Sequence, residues 1–480
     1  MSEQRGQARG GRRRPDAARP PKISPSRRVA FEVLEAVRID EAYANLLLPA
    51  RIRRARLSQA DAALATELTY GTLRRQGYYD RVIELAADRP ADAIDPAVLD
   101  VLRLGAHQLL ATRVPTHAAV NEQVDLARSV APKAAGFVNA VLRTVSRTDA
   151  DAWRELVAEG ASNEDERLAR LESHPTWVVR ALRAALEREG RADELEALLQ
   201  ADNSSPRVNL ALLPGLVDEG IAQEVDGFAP NEYSPIGATA NDPIPVVEAG
   251  HGRIRVQDEG SQLAALALSR ALPVRPGERW LDLCSGPGGK TAVLAAEALA
   301  GGAVLAANEV VPVRADLVRS AIAGVPLEVD VRVGDGRDLD AAAFGAPGGF
   351  DRILLDAPCT GLGALRRRPE ARWRKRPQDV AELTLLQGQL LDAAFAALAP
   401  GGVLAYVTCS PHTAETHGSL GAALARWGGE AESLDAAAVV QGVSRHPLDL
   451  AAGETAVQLW PHRHGTDAMF IALVRRVPAA

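Results

Sequence analysis

An apolar strand that runs into a glycine-rich turn and then into a helix fits few folds. This chain carries one at Leu281-Asp282-Leu283-Cys284-Ser285-Gly286-Pro287-Gly288-Gly289-Lys290-Thr291. Glycines let the backbone turn tightly and approach a ligand without a Cβ clash. The segment opens an alternation of strand and helix that runs to the end of the chain. Strands are predicted at Trp280–Leu283, Ala303–Ala307, Leu327–Val331, Arg352–Leu355 and Val403–Val407. A late strand at Ala468–Val474 reads as an edge or an antiparallel insert. Helices are predicted at Ser261–Ala271, Thr291–Ala300, Val311–Ile322 and Val380–Leu398. Such alternation predicts a doubly wound, Rossmann-like α/β domain over residues 257–480, with ligands gathered beyond the carboxyl ends of its strands.

A chain of 480 residues exceeds what one core serves, and the upstream part differs in character. Residues 24–147 are helical throughout, predicting an all-α domain; one helix spans Ser58–Arg75, with Leu64, Leu68 and Leu73 on its buried side. His107 and His117 lie among small and apolar residues and read as structural. Residues 148–200 read as a helical linker with a stripe of Trp177, Val178, Leu182 and Leu186, and residues 201–256 as a small mixed α/β segment. Residues 1–23 read as a disordered basic tail, since seven Lys or Arg against two acids leave almost nothing to bury. That tail is either a phosphate-binding arm or a solubilising extension. The net charge of -7 argues against a wholly basic nucleic-acid coat but leaves room for a local basic groove. There is no membrane-length apolar run and no signal peptide, so a cytoplasmic protein without a membrane partner is expected. Three cysteines cannot build a disulfide framework or a Cys-rich zinc site, and His462 and His464 lack further ligands; no metal is expected.

Three readings compete for the glycine loop. A phosphate-binding loop of the Walker type needs a glycine where Cys284 stands. A dinucleotide fingerprint needs its third glycine where Thr291 stands. The third ligand is S-adenosylmethionine, whose amino-acid end is zwitterionic. Asp282 would take its ammonium group, Glu309 at the end of the second strand both ribose hydroxyls, and Asp335 after the third strand the adenine amino group. NAD and a purely structural turn stay open. Lys290 is either an exposed helix-start lysine or a phosphate or carboxylate contact.

The fourth and fifth strands end in Asp356-Ala357-Pro358-Cys359-Thr360 and Thr408-Cys409-Ser410. Two of three cysteines thus fall at neighbouring strand exits. A thiolate beside a methyl donor suits one difficult reaction. C5 of a pyrimidine is a poor nucleophile until a thiolate adds to C6 and makes it enamine-like. Asp356 suits a second task there, holding a proton on N3 of cytosine. Between the thiols, residues 366–376 hold seven positive charges and one negative around Trp373. This is either a solvated basic face or a surface for phosphates and an unpaired base.

The loop LDLCSGPGGKT, the segment LLDAPCTGLGALRRRPEARW and the segment YVTCS resemble bacterial RNA cytosine-C5 methyltransferases of the Sun class. QDEGSQLAAL and DAMFIALV fit the same pattern, and residues 24–147 resemble the antitermination factor NusB. The resemblance implies a methyltransferase domain acting on small-subunit (16S) ribosomal RNA, unassembled or partly assembled, in a monomer. It implies Cys409 as the nucleophile, with Cys359 assisting breakdown of the adduct and Asp356 contacting both donor and target base. DNA cytosine methyltransferases use the Pro-Cys cysteine for attack instead. The cofactor-binding set it implies is Asp282, Cys284, Ser285, Gly286, Pro287, Gly288, Gly289, Lys290, Glu309, Asp335 and Asp356. It also implies that the NusB-like domain contacts RNA without catalysing. Two departures are visible: Glu415-Thr416 stands where the family often has Glu-Asn, and Cys-Ser-Gly-Pro where it often has Cys-Ala-Ala-Pro. A noncatalytic ribosome assembly factor and an NAD-dependent oxidoreductase are the competing functions. Neither needs paired thiols.

Overall fold

The computed structural model describes residues 23–217 and 226–478. The basic tail lies outside the described residues, apart from Ile23.

Residues 25–145 form a helical domain, from Pro25–Ile39 to Ala135–Val145. Its helices start where side chains cap them. Ser58 accepts the amide of Asp61, and Asp95 accepts those of Ala97 and Val98. Val33, Tyr79, Leu102 and Leu142 sit in its core. His107 is buried there against the Tyr79 hydroxyl at 2.8 Å, whereas His117 is exposed. The following helices divide their packing. Trp153, Val157 and Leu171 join the helical domain's core. Val178, Leu182, Leu186 and Leu198 instead pack with Leu362, Leu365 and Trp460 from the C-terminal part. The stretch expected to be a linker therefore rivets the two domains together.

A small antiparallel sheet follows, built from β1 (Asn209–Leu212), β2 (Ala229–Pro230), β3 (Gly237–Thr239) and β4 (Ile254–Val256) in the order β2-β3-β1-β4. The large sheet contains β5 (Arg279–Asp282), β6 (Val304–Glu309), β7 (Val329–Val333), β8 (Phe350–Asp356) and β9 (Leu398–Thr408). It is completed by β10 (Ala431–Leu434), β11 (Val457–Gln458) and β12 (Phe470–Arg476). The order is β10-β12-β9-β8-β5-β6-β7, with β11 beside β12. Strands β5 to β9 pair in parallel, and β12 runs antiparallel to β9. Alternating residues of β5 serve opposite faces: Trp280 packs with Leu294 and Ile471, Leu281 with Phe350 and Leu391. The late strand is an antiparallel insert rather than an edge, because β10 pairs its outer side. The chain enters at central β5, moves outward through β6 to β7, then crosses back to β8. That reversal opens a crevice beyond the carboxyl ends of β5 and β8.

Candidate active site

The crevice is a cavity of about 490 Å³. Of the residues singled out in the sequence, Cys284, Gly286, Pro287, Glu309, Asp335, Asp356, Cys359 and Cys409 line it. Asp282, Ser285, Gly288, Gly289 and Lys290 are not among its lining residues. Glu309 receives the Gly286 amide on Oε2 at 2.9 Å and the Val311 amide on Oε1 at 3.0 Å. A Cβ on Gly286 would stand 2.3 Å from that Oε2, so a side chain there would displace the Glu309 carboxylate from the loop. Gly288 turns into helix Gly289–Gly301 at φ +97°. Asp335 is held by Arg337, which keeps its carboxyl well below the usual range at about 2.

Asp282 was expected at the ligand surface; it lies beneath the loop instead. Its Oδ2 accepts the Thr291 hydroxyl at 2.7 Å, and its buried Oδ1 has no partner. Burial, reinforced by the charge of Asp356, pushes its carboxyl up to about 7. A raised folded-state value means stability is full below the ordinary value of 3.8 and is lost as pH rises through about 7. Asp282→Asn removes that loss. The variant is expected to melt higher than the parent at pH 8, with the gap narrowing at pH 5. Each kcal/mol corresponds to roughly 2–4 °C in a domain of this size. Thermal unfolding at both pH values checks this; a gap that does not widen with pH removes Asp282 as its source.

Lys290 is not an exposed helix-start lysine. Its Nζ pairs with Asp356 Oδ2 at 2.7 Å. Burial works against its charge, but Asp356 more than compensates and holds the amine above its usual value. The pair tethers Asp356 through one oxygen, on a residue that lines the cavity.

The two thiols meet: Cys359 Sγ and Cys409 Sγ are 3.4 Å apart. The hydrogen bond from Cys359 pulls the Cys409 thiol down, against burial and with help from Lys290 and Arg368. The same contact, together with burial, pushes Cys359 well up. Cys284 also lines the cavity, but burial raises its thiol and keeps it protonated.

Glu415 carries a role the motif reading missed. It is fully buried. Its Oε1 accepts the Thr360 amide at 2.7 Å, and its Oε2 accepts the hydroxyls of Thr360 at 2.5 Å and Ser410 at 2.6 Å. Gln387 bridges Pro358 O and Glu415 Oε1. One carboxylate thus clamps the residue after each cysteine. The only local signal was a glutamate five residues past Ser410.

The basic segment is mostly internal. Arg366 donates to Gly465 O, and Arg367 pairs with Asp258 and Asp467. Arg372, fully buried, donates to Arg74 O, Ser173 O, Asn203 Oδ1 and Asp202 O, and Arg374 reaches Val37 O and Ala42 O. These contacts join the helical domain to the sheet domain. A solvated face is thereby corrected, and so is a phosphate surface made of all seven cations. The reason is tertiary: carbonyls of residues 37, 42, 74, 173, 202 and 465 converge on the segment. Tyr43 of the helical domain lines the crevice too, with Arg368 and Arg374 over its ring at 5.5 and 5.2 Å.

Residues 269–475 match the family described as 16S rRNA methyltransferase RsmB/F, and residues 24–147 match the NusB family. A Mycobacterium tuberculosis protein provisionally named a methyltransferase is 48% identical over 98% of this chain and 99% of its own. Ribosomal RNA small subunit methyltransferase B of Pseudomonas putida is 35% identical over 89% of this chain and 95% of its own. The same-named protein of Erwinia tasmaniensis is 32% identical over 94% and 98%. The crystal structure of PH0851 shares the fold, with a TM-score of 0.74 at 24% identity over 95% of this chain and 100% of its own.

Proposed function

The chain belongs to the 16S rRNA methyltransferase RsmB/F family and is a methyltransferase, and from that premise we propose that it methylates C5 of a cytosine in small-subunit ribosomal RNA. The observation that carries this reading is the pair of sulfurs 3.4 Å apart on the wall of the cavity that the glycine loop and Glu309 also line. Hydride transfer by an NAD-dependent oxidoreductase gives no reason for that pair.

The residues fit S-adenosylmethionine. Gly286, Pro287, Glu309 and Asp335 line one cavity, which sets carboxylates suited to hydroxyls and to an amine beside a glycine turn. Glu309 would hold the ribose, Asp335 the adenine, and residues 284–290 the methionine portion. When bound, the donor supplies an electrophilic methyl group. Cys409, as thiolate, adds to C6 of the cytosine, and electron density moves to C5. Asp356, tethered by Lys290, holds the proton at N3 that draws this density through the ring. C5 then takes the methyl group. Loss of the C5 proton to solvent restores the double bond as the C6–S bond breaks and the Cys409 thiolate departs. Cys359, in contact with the departing sulfur, assists this step. The helical domain contacts RNA without entering the chemistry, and the proposed place of action is the cytoplasm. No described helix is long and apolar enough to cross a membrane.

Nucleotide-resolution mapping of 5-methylcytosine in ribosomal RNA, with and without the gene, tests this. One cytosine of small-subunit RNA should lose its methyl group when the gene is deleted. An unchanged map leaves only a noncatalytic assembly factor. At the cofactor site, Glu309→Ala is expected to weaken S-adenosylmethionine binding by about one to two decades, since charged hydrogen bonds contribute roughly 1.5–3 kcal/mol. Calorimetry on the folded variant measures it; unchanged affinity moves the ribose contact elsewhere.

A further inference from the structure

The seven cations of residues 366–376 fall into two sets. Arg366, Arg367, Arg372 and Arg374 are used inside the protein. The side chains of Arg368, Lys375 and Arg376 donate to no acceptor among the described residues, and they face cavities. Arg368 and Lys375 line the catalytic crevice. Lys375 and Arg376 line a second cavity, of about 610 Å³, between the helical domain and this segment. Tyr43 and Lys375 line both, so the two spaces adjoin at these side chains.

The acids on the second wall are mostly engaged by other groups. Asp100 is paired with Arg38 and Arg103, Glu370 accepts the Ala44 amide, and Asp379 accepts the Arg376 amide. Glu41, Glu370 and Asp379 make no ion pair among the described residues, so three carboxylates share this wall with Arg374, Lys375 and Arg376. Trp373, 37% exposed, adds an aromatic surface to the same wall. Unpaired cations beside an aromatic ring in a polar channel match a single-stranded nucleic acid, whose phosphates and bases need both. Arg368 is also close enough for its charge to help hold the Cys409 thiol down. Its guanidinium is in turn positioned by the Tyr43 ring.

We propose that single-stranded RNA leaves the catalytic crevice past Tyr43 and runs between the two domains, with its phosphates held by Arg368, Lys375 and Arg376. Tyr43 is a positioning residue that the helical domain contributes to the substrate path. The active site is then incomplete without that domain. This rests on the RNA-methylating reading and says where the RNA lies.

The test uses the full chain and an unmodified transcript of small-subunit ribosomal RNA. Lys375→Gln with Arg376→Gln should raise the KM for RNA roughly tenfold and cut the salt dependence of log affinity by about 1.4, at about 0.7 per phosphate for a single strand. The loss should fall on the KM for RNA more than on kcat. Tyr43→Ala should raise the KM for RNA, and Tyr43→Phe should restore it, because either ring holds the guanidinium. Arg180→Gln, on an exposed helix of the connecting region, is the control for nonspecific charge loss. A salt slope unchanged in the double variant, or equal to that of Arg180→Gln, overturns the proposed path. A parent protein that binds S-adenosylmethionine but methylates no RNA overturns the functional reading instead.

Discussion

Cys409→Ala abolishes methyl transfer and forms no covalent RNA adduct: that is the expected result, and the largest effect of any single substitution here. Without attack on C6 there is no enamine at C5, so the rate should fall by roughly 10⁴-fold or more, the scale seen when a covalent nucleophile is removed. Cys359→Ala behaves differently. The attacking sulfur remains, but it loses the thiol hydrogen bond that helps hold its charge. Attack slows and still occurs, while breakdown lacks its assisting group. A denaturant-resistant protein–RNA complex should then accumulate. Denaturing electrophoresis after incubation with ribosomal RNA and S-adenosylmethionine separates the variants, and scintillation counting of transferred methyl separates failed chemistry from failed release. If Cys409→Ala traps RNA and Cys359→Ala does not, the roles are reversed. If neither variant changes turnover, the covalent mechanism falls.

Glu415→Ala is expected to be the next most damaging change, although Glu415 touches neither sulfur. It strips the Thr360 amide, two hydroxyls and part of the Gln387 amide of their acceptor in a buried place. Each unsatisfied group costs about 1–3 kcal/mol. More importantly, the loops carrying Cys359 and Cys409 lose the one group that fixes both. A misplacement of about 1 Å is worth roughly 10²-fold in rate. kcat should fall by that order, with the KM for S-adenosylmethionine little changed. Glu415→Gln keeps an acceptor for the Thr360 amide and should recover part of the rate. Steady-state kinetics on both variants, with melting curves to confirm folding, decide it. If both variants lose donor affinity in step with kcat, Glu415 is a general structural residue and not a clamp on the thiols.

Local pattern made much of this protein legible. The glycine loop, the strand exits and the helical character of residues 24–147 are short-range features, and the β-strand predictions fall within a few residues of those observed. The short strands β10 and β11 escaped, because a few residues carry too little periodicity, and what makes them strands is pairing with β12. Asp282 and Lys290 were assigned to the ligand from their place in a motif. Motif position gives distance along the chain, not which side of the loop a carboxylate or amine takes. Burial beneath Thr291 and capture by Asp356 come from the packed sheet.

What the chain's order of residues determined by itself was the class of fold and the kinds of group at the crevice, since both follow from periodicity and from which residues end each strand. What only the tertiary structure decided was which groups meet. Strands β8 and β9 lie side by side although a helix and a basic segment separate them in sequence, and their pairing brings Cys359 to Cys409. The same packing brings carbonyls of the helical domain onto Arg374 and those of residues 173 and 202 onto Arg372. A run of cations is uniform along the chain. It divides into joint and groove only when neighbours supply acceptors to some and leave others facing open space, because a charge pairs with what lies within a few ångströms and not with what lies next in sequence.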